Sequence, residues 1–91
     1  MAETAKHIVF TGSVQGVGFR FTAFHVANRY QLTGWVCNCT GGGVEMVAQG
    51  RPDKIDDCIR DIQESFAGYI RETKIEEVPP DPKYKDFKIT F

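Results

Sequence analysis

No run of this sequence approaches the roughly 18 consecutive apolar residues a membrane helix needs, so no membrane partner is expected. The opening residues, Met1-Ala2-Glu3-Thr4-Ala5-Lys6, carry an acid and lack the apolar stretch of a secretory signal. Three cysteines are too few, and odd in number, for a disulfide framework. These absences together point to a reducing cytoplasm. No sign of charge dominates either: 11 Lys and Arg stand against 12 Asp and Glu, a net −1. The basic surplus that draws a protein to nucleic acid or anionic lipid is missing, so any anion specificity must be local. Repeats and low-complexity tracts are absent, and 91 residues are enough for one domain. A chain this short buries only about 60–65% of its unfolded surface, in a single core. The expectation is one monomeric domain over 1–91, with about residues 1–5 as a flexible N-terminus.

What is present is a repeated alternation. Ile8 and Phe10 alternate with His7, Val9 and Thr11, a strand with one apolar face. Phe19, Ala23, Val26, Ala27 and Tyr30 recur at helical intervals, while Phe21 and Phe24 lie off that stripe. Those two rings either widen the buried face or floor a pocket. Leu32 to Asn38 forms the next strand, and Thr40-Gly41-Gly42-Gly43 turns the chain into Val44, Met46 and Ala48. Pro52 opens a second helix, with Ile55, Ile59, Ile62 and Phe66 as its stripe and Gly68 as its stop. Thr73 to Val78 reads as a fourth strand, with Ile75 and Val78 buried. Pro79-Pro80-Asp81-Pro82 interrupts the sheet, and Phe87, Ile89 and Phe91 mark a last strand. The order β-α-β-β-α-β plus a terminal strand is the split βαβ, ferredoxin-like plan, of α+β class. It predicts an antiparallel sheet with two helices on one face and the other face wet.

Between the first strand and first helix lies Thr11-Gly12-Ser13-Val14-Gln15-Gly16-Val17-Gly18-Phe19-Arg20, with three glycines and no acid. Glycine permits φ > 0 and lets bare N–H groups approach a ligand. A helix start adds partial positive charge, so the loop suits an anion. Ser13, Val14, Gln15, Gly16, Val17, Gly18 and Phe19 are candidate N–H donors to phosphate oxygens. Arg20 adds a planar, permanently charged fork. The spacing fits neither the G-x-G-x-x-G dinucleotide pattern nor the Lys-Ser/Thr phosphate loop.

The string Gly12-x-Val14-Gln15-Gly16-Val17-Gly18-Phe19-Arg20, followed by Gly34-Trp35-Val36-x-Asn38, resembles the two signature motifs of the acylphosphatases. The resemblance extends from about Lys6 to Phe91. It implies hydrolysis of acyl phosphates to carboxylate and inorganic phosphate. It also implies that Arg20 is the phosphate-binding catalytic arginine and Asn38 the asparagine that orients water. The family usually carries Thr after that asparagine; here Cys39 stands there, which questions whatever support the hydroxyl gives.

The residues themselves agree with that chemistry. No Lys-Ser/Thr pair or carboxylate cluster near the loop offers a Mg²⁺ site, so no metal and no cofactor are expected. No cysteine occupies the loop as nucleophile, and no histidine stands as general acid. A site without an acid needs a leaving group that departs unprotonated, and a carboxylate, with a pKa of about 4, does. Asn38 is not basic but can aim a water. Three other assignments fare worse. A zinc site at Cys37-x-Cys39 would have only Cys58 to add, and a disulfide between two strand cysteines on one face is close to the roughly 7 Å reach of the bridge. An RNA-binding sheet needs stacking aromatics, which Val44 to Gln49 lack. The remaining alternative is a non-catalytic phosphate- or carbamoyl-phosphate-binding module, as at the N-terminus of larger carbamoyl-transferring proteins; there Pro commonly follows the loop arginine, and here Phe21 does.

Overall fold

The computed structural model describes residues 3–91. Among them the elements follow as β1 (Thr4–Gly12), α1 (Phe19–Arg29), β2 (Thr33–Asn38), β3 (Val44–Gly50), α2 (Pro52–Ser65), β4 (Ile70–Val78) and β5 (Phe87–Ile89). The strands form one sheet in the order β4-β1-β3-β2-β5. β1 pairs antiparallel with β3 and β4, and β3 antiparallel with β2. This is the ferredoxin-like α+β arrangement expected from the element order. β5 differs: it adds to β2 in parallel, so the sheet is mixed. The chain leaves β4 at one edge and must reach β2 at the other, and it arrives there running in β2's direction.

Both helices pack on one face. Ile8, Phe10, Val36, Val44 and Met46 from the sheet meet Ala23, Val26 and Ala27 of α1 and Ile55, Ile59 and Ile62 of α2. Phe19 sits between Phe10 and Phe66, with ring centroids at 5.0 and 4.4 Å. Pro52 occupies the first turn of α2, where its missing N–H is not needed. Cys58 joins the apolar stripe and is fully buried.

The structure corrects four expectations. β1 begins at Thr4, paired with Gly50, and Ala5 is buried, so residues 4 and 5 are strand rather than flexible leader; Met1 and Ala2 lie outside the described residues. β4 begins at Ile70, three residues before Thr73. Ile75 pairs with Ile8 yet is 49% exposed, and Val78 is only half-buried. Alternation gives the face of a residue but not its distance from the sheet centre, and β4 is an edge strand. Finally, the face opposite the helices is only partly wet. The segment 79–86 crosses it on the way to β5, held where Gln49 Nε2 donates to the Asp81 carbonyl at 3.0 Å and Gln49 Oε1 accepts from Asp81 N–H at 2.7 Å. Trp35 Nε1 donates to the Tyr84 hydroxyl at 3.1 Å. Val47 and Gln49 are buried as a result. No helix among the described residues is long and apolar enough to cross a membrane.

Candidate active site

The glycine loop is stretched between two buried anchors. Val14 and Phe19 both sit in the core, at 0% and 2% exposure. Burying each side chain stabilises by about 1.5–3 kcal/mol, so the core holds the loop at both ends and leaves Gly16, Val17 and Gly18 exposed. Gly16 and Gly18 have φ of +79° and +77°, and a Cβ at either would meet nothing within 4 Å. The backbone conformation, not crowding, calls for glycine there. Gly18 is also the N-cap of α1, with no side-chain cap and no acid in the first turn. The positive end of the helix is left uncompensated. Among the described residues, the N–H groups of Val14 through Phe19 have no hydrogen-bond acceptor.

Ser13 departs from the expected cradle, because its N–H already donates to the Tyr69 carbonyl at 2.9 Å. It ties the loop to the segment before β4. Gln15 does something the sequence did not signal. Its side-chain Nε2 donates to the carbonyls of Cys39 and Gly43, both at 2.8 Å. The loop is thereby latched to the β2–β3 hairpin at the residue next to Asn38. That hairpin is closed by Cys39 N–H to the Gly43 carbonyl at 2.7 Å. The latch grips main-chain atoms and does not depend on which side chain stands at 39.

Arg20 lies in the first turn of α1, half-buried. Nη1 donates to the Thr90 carbonyl just beyond β5 at 3.1 Å, and the Phe91 ring lies 4.7 Å from the guanidinium carbon. No carboxylate pairs with it among the described residues, so its other donors remain for an external anion. Asn38 is the exposed last residue of β2, opposite Val44 on β3. Its side chain makes no hydrogen bond within the described residues, in keeping with a group left to contact solvent or ligand.

One cavity of about 240 Å³ brings these residues together: Gly16, Gly18, Arg20 and Asn38 line it, and Val14, Phe19, Phe21, Ile89 and Phe91 complete its walls. Ser13, Gln15 and Val17 are not in that lining. Ile89 and Phe91 were not candidates from sequence. Their alternation announced a strand, but only the parallel pairing of β5 with β2 brings them beside Asn38.

None of the cysteines lines this cavity. Burial, then the charge of Glu45 and the neighbouring Cys37, pushes the Cys39 thiol above its ordinary value, so it stays protonated at neutral pH. Cys37, Cys39 and Cys58 are all free thiols. His7 bonds Glu45 across the sheet at 2.7 Å, on the face opposite the helices. No group of three His, Cys, Asp or Glu able to hold a metal occurs among the described residues.

A model of the acylphosphatase family matches residues 6–89. An acylphosphatase of Alcanivorax borkumensis is 37% identical over 91 aligned positions, covering 96% of this chain and 99% of its own. The crystal structure of acylphosphatase from Bacillus subtilis matches with a TM-score of 0.89 at 27% identity, over 97% of this chain and 99% of that one. Full-length HypF, solved in a phosphate- and nucleotide-bound form, also matches with a TM-score of 0.89, at 38% identity, but the match takes up 12% of that protein. Motifs, fold and both end-to-end matches agree, and the chain belongs to the acylphosphatase family.

Proposed function

We propose that this chain cleaves the carboxyl–phosphate bond of acyl phosphates without a metal, by attack of water on phosphorus, with Arg20 and Asn38 as its catalytic residues. Family membership carries acyl-phosphate hydrolysis in general. The observation that supports the finer assignment is the meeting of the unpaired loop N–H groups, Arg20 and Asn38 at one cavity. The phosphoryl oxygens accept from the loop N–H groups from Val14 to Phe19, and the free face of Arg20 takes two of them. Both sets strengthen as charge shifts toward those oxygens in the transition state. The Asn38 amide aims a water along the line of the breaking bond. A water oxygen–phosphorus bond forms, and the bond from phosphorus to the acyl oxygen breaks. The carboxylate leaves with the electron pair, and the water's protons pass to phosphate oxygens and solvent. No general acid is required because the leaving group is a weak base.

The partners in this proposal are a small acyl phosphate and inorganic phosphate, bound by a cytoplasmic monomer. The test compares hydrolysis of acetyl phosphate and of a simple alkyl phosphate, each with EDTA. Acetyl phosphate turnover should survive chelation while the alkyl ester stays intact. Loss of turnover in EDTA and its return with Mg²⁺ or Zn²⁺ would contradict the metal-free mechanism. Phosphate binding with no turnover of any acyl phosphate would make the chain a binding module.

A further inference from the structure

Phe21 presents an aromatic ring that the fold does not use. It is 62% exposed, whereas Phe10, Phe19, Phe66 and Phe87 are buried in the core. The ring is not loose: it packs edge-on against His25, one turn along α1, with centroids 4.6 Å apart and planes at 86°. It lines the cavity that holds Gly16, Gly18, Arg20 and Asn38. Beyond the anion-binding groups, the walls of that cavity are hydrocarbon, from Phe21, Ile89 and Phe91, and its lining includes no Lys, Asp or Glu. An exposed aromatic held in place beside an anion site is the arrangement expected of a recognition surface rather than of a packing residue.

We infer that Phe21 is a specificity-determining residue that selects acyl phosphates whose acyl group is uncharged and aromatic or bulky aliphatic. This rests on the proposed function, since the phosphoryl group must occupy the loop for the acyl group to lie along Phe21. With phosphorus held at the loop and Arg20, the acyl substituent leaves in the direction of the remaining wall. A ring or branched chain there covers Phe21 and Ile89 and removes apolar surface from water. A methyl group covers little of it. An acyl group with a second carboxylate would set an unpaired charge against hydrocarbon, because the only cation in the lining, Arg20, is engaged by the phosphoryl group.

The test is the ratio of kcat/KM for benzoyl phosphate to that for acetyl phosphate, in the wild-type chain and in Phe21→Ala and Phe21→Leu. The ratio cancels effects on phosphoryl binding and on water positioning, which both substrates share. Phe21→Ala should lower it by roughly tenfold, the scale of a lost apolar pocket contact. Phe21→Leu should hold it within about threefold, since leucine keeps most of the apolar area. The exposed position makes both variants compatible with the fold. An unchanged ratio in Phe21→Ala, or an equal fall for the two substrates, overturns the inference and leaves the proposed function standing. Failure of the wild-type chain to hydrolyse either substrate overturns both.

Discussion

The roles proposed for Arg20 and Asn38 engage the reaction at different moments, and that difference is measurable. In the proposed mechanism the guanidinium faces a phosphate dianion in the bound substrate as well as in the transition state. The asparagine amide is assigned contact with the water alone. Arg20→Ala should therefore weaken phosphate binding and lower kcat together, with a total loss on the order of 10³-fold or more, the scale of transition-state arginines. Arg20→Lys should recover little, because the tetrahedral donors of one ammonium diverge from a single nitrogen and cannot reproduce the planar fork that reaches the Thr90 carbonyl and grips two phosphate oxygens side by side. Asn38→Ala should lower kcat by about 10²–10³-fold, as expected for one preorganised group, with phosphate affinity nearly intact. Titration calorimetry with inorganic phosphate on each folded variant checks the assignment, and the reverse pattern would exchange the two roles. At this scale two motifs singled out Arg20 and Asn38, and the fold brings both to one cavity. The sequence was silent about Gln15's side chain, whose partners are the carbonyls of Cys39 and Gly43. A link between two backbones distant in sequence leaves no local period. Ser13 was misplaced for the same reason, since its N–H is taken by Tyr69 from another segment.

The loop and the β2–β3 hairpin act as one unit through Gln15. Gln15→Leu removes one donor from each carbonyl, and each keeps a backbone partner, Gly42 N–H for Cys39 and Cys39 N–H for Gly43, so the cost is the two lost hydrogen bonds, about 0.5–1.5 kcal/mol each. It also frees Asn38 to drift, and misplacement by about an ångström can cost up to roughly 10²-fold in rate. We expect kcat to fall by about 10–100-fold. In an Asn38→Ala background the same substitution should lower kcat little further, because the two residues act through one another. Comparing kcat of the four proteins checks this, and full additivity would show that Gln15 does not work through Asn38. The second helix carries a pH dependence of its own. Burial, then the charge of Asp61, pushes the Cys58 thiol up to about 12 from an ordinary value of 9.0. Below pH 9 the thiol is protonated in both folded and unfolded chains. Between pH 9 and about 12 the unfolded chain loses the proton and the folded chain keeps it, so this thiol lowers stability as pH rises, by at most about 1.4 kcal/mol per pH unit. The urea midpoint should drop more steeply from pH 8.5 to 10.5 in the wild-type chain than in Cys58→Ala. Equal slopes would show that the thiol is not responsible. The helices were legible because a stripe at three- and four-residue spacing has only one burial solution. The edge position of β4 was not, so Ile75 was expected inside and lies half outside.

Across the whole molecule, the site depends on a crossing that no local pattern describes. The segment 79–86 carries the chain over the sheet so that β5 lies beside β2, and this brings Thr90 to Arg20 and Ile89 into the wall near Asn38. The element order was enough for the ferredoxin-like plan and the two-helix layer. The partner and direction of the last strand required tertiary information, as did the cover that Gln49 and Trp35 give the open face through Asp81 and Tyr84. The resulting fold gathers free loop N–H groups and Arg20 at one end of the cavity and the hydrocarbon of Phe21, Ile89 and Phe91 at the other. In the proposed reaction this cavity presents phosphorus, not the acyl carbon, to water. Hydrolysis of acetyl phosphate in water enriched in the heavy oxygen isotope tests it most directly, with mass analysis of both products. One heavy oxygen should appear in the released phosphate and none in the acetate; heavy oxygen in the acetate would mean that water attacks the acyl carbon instead.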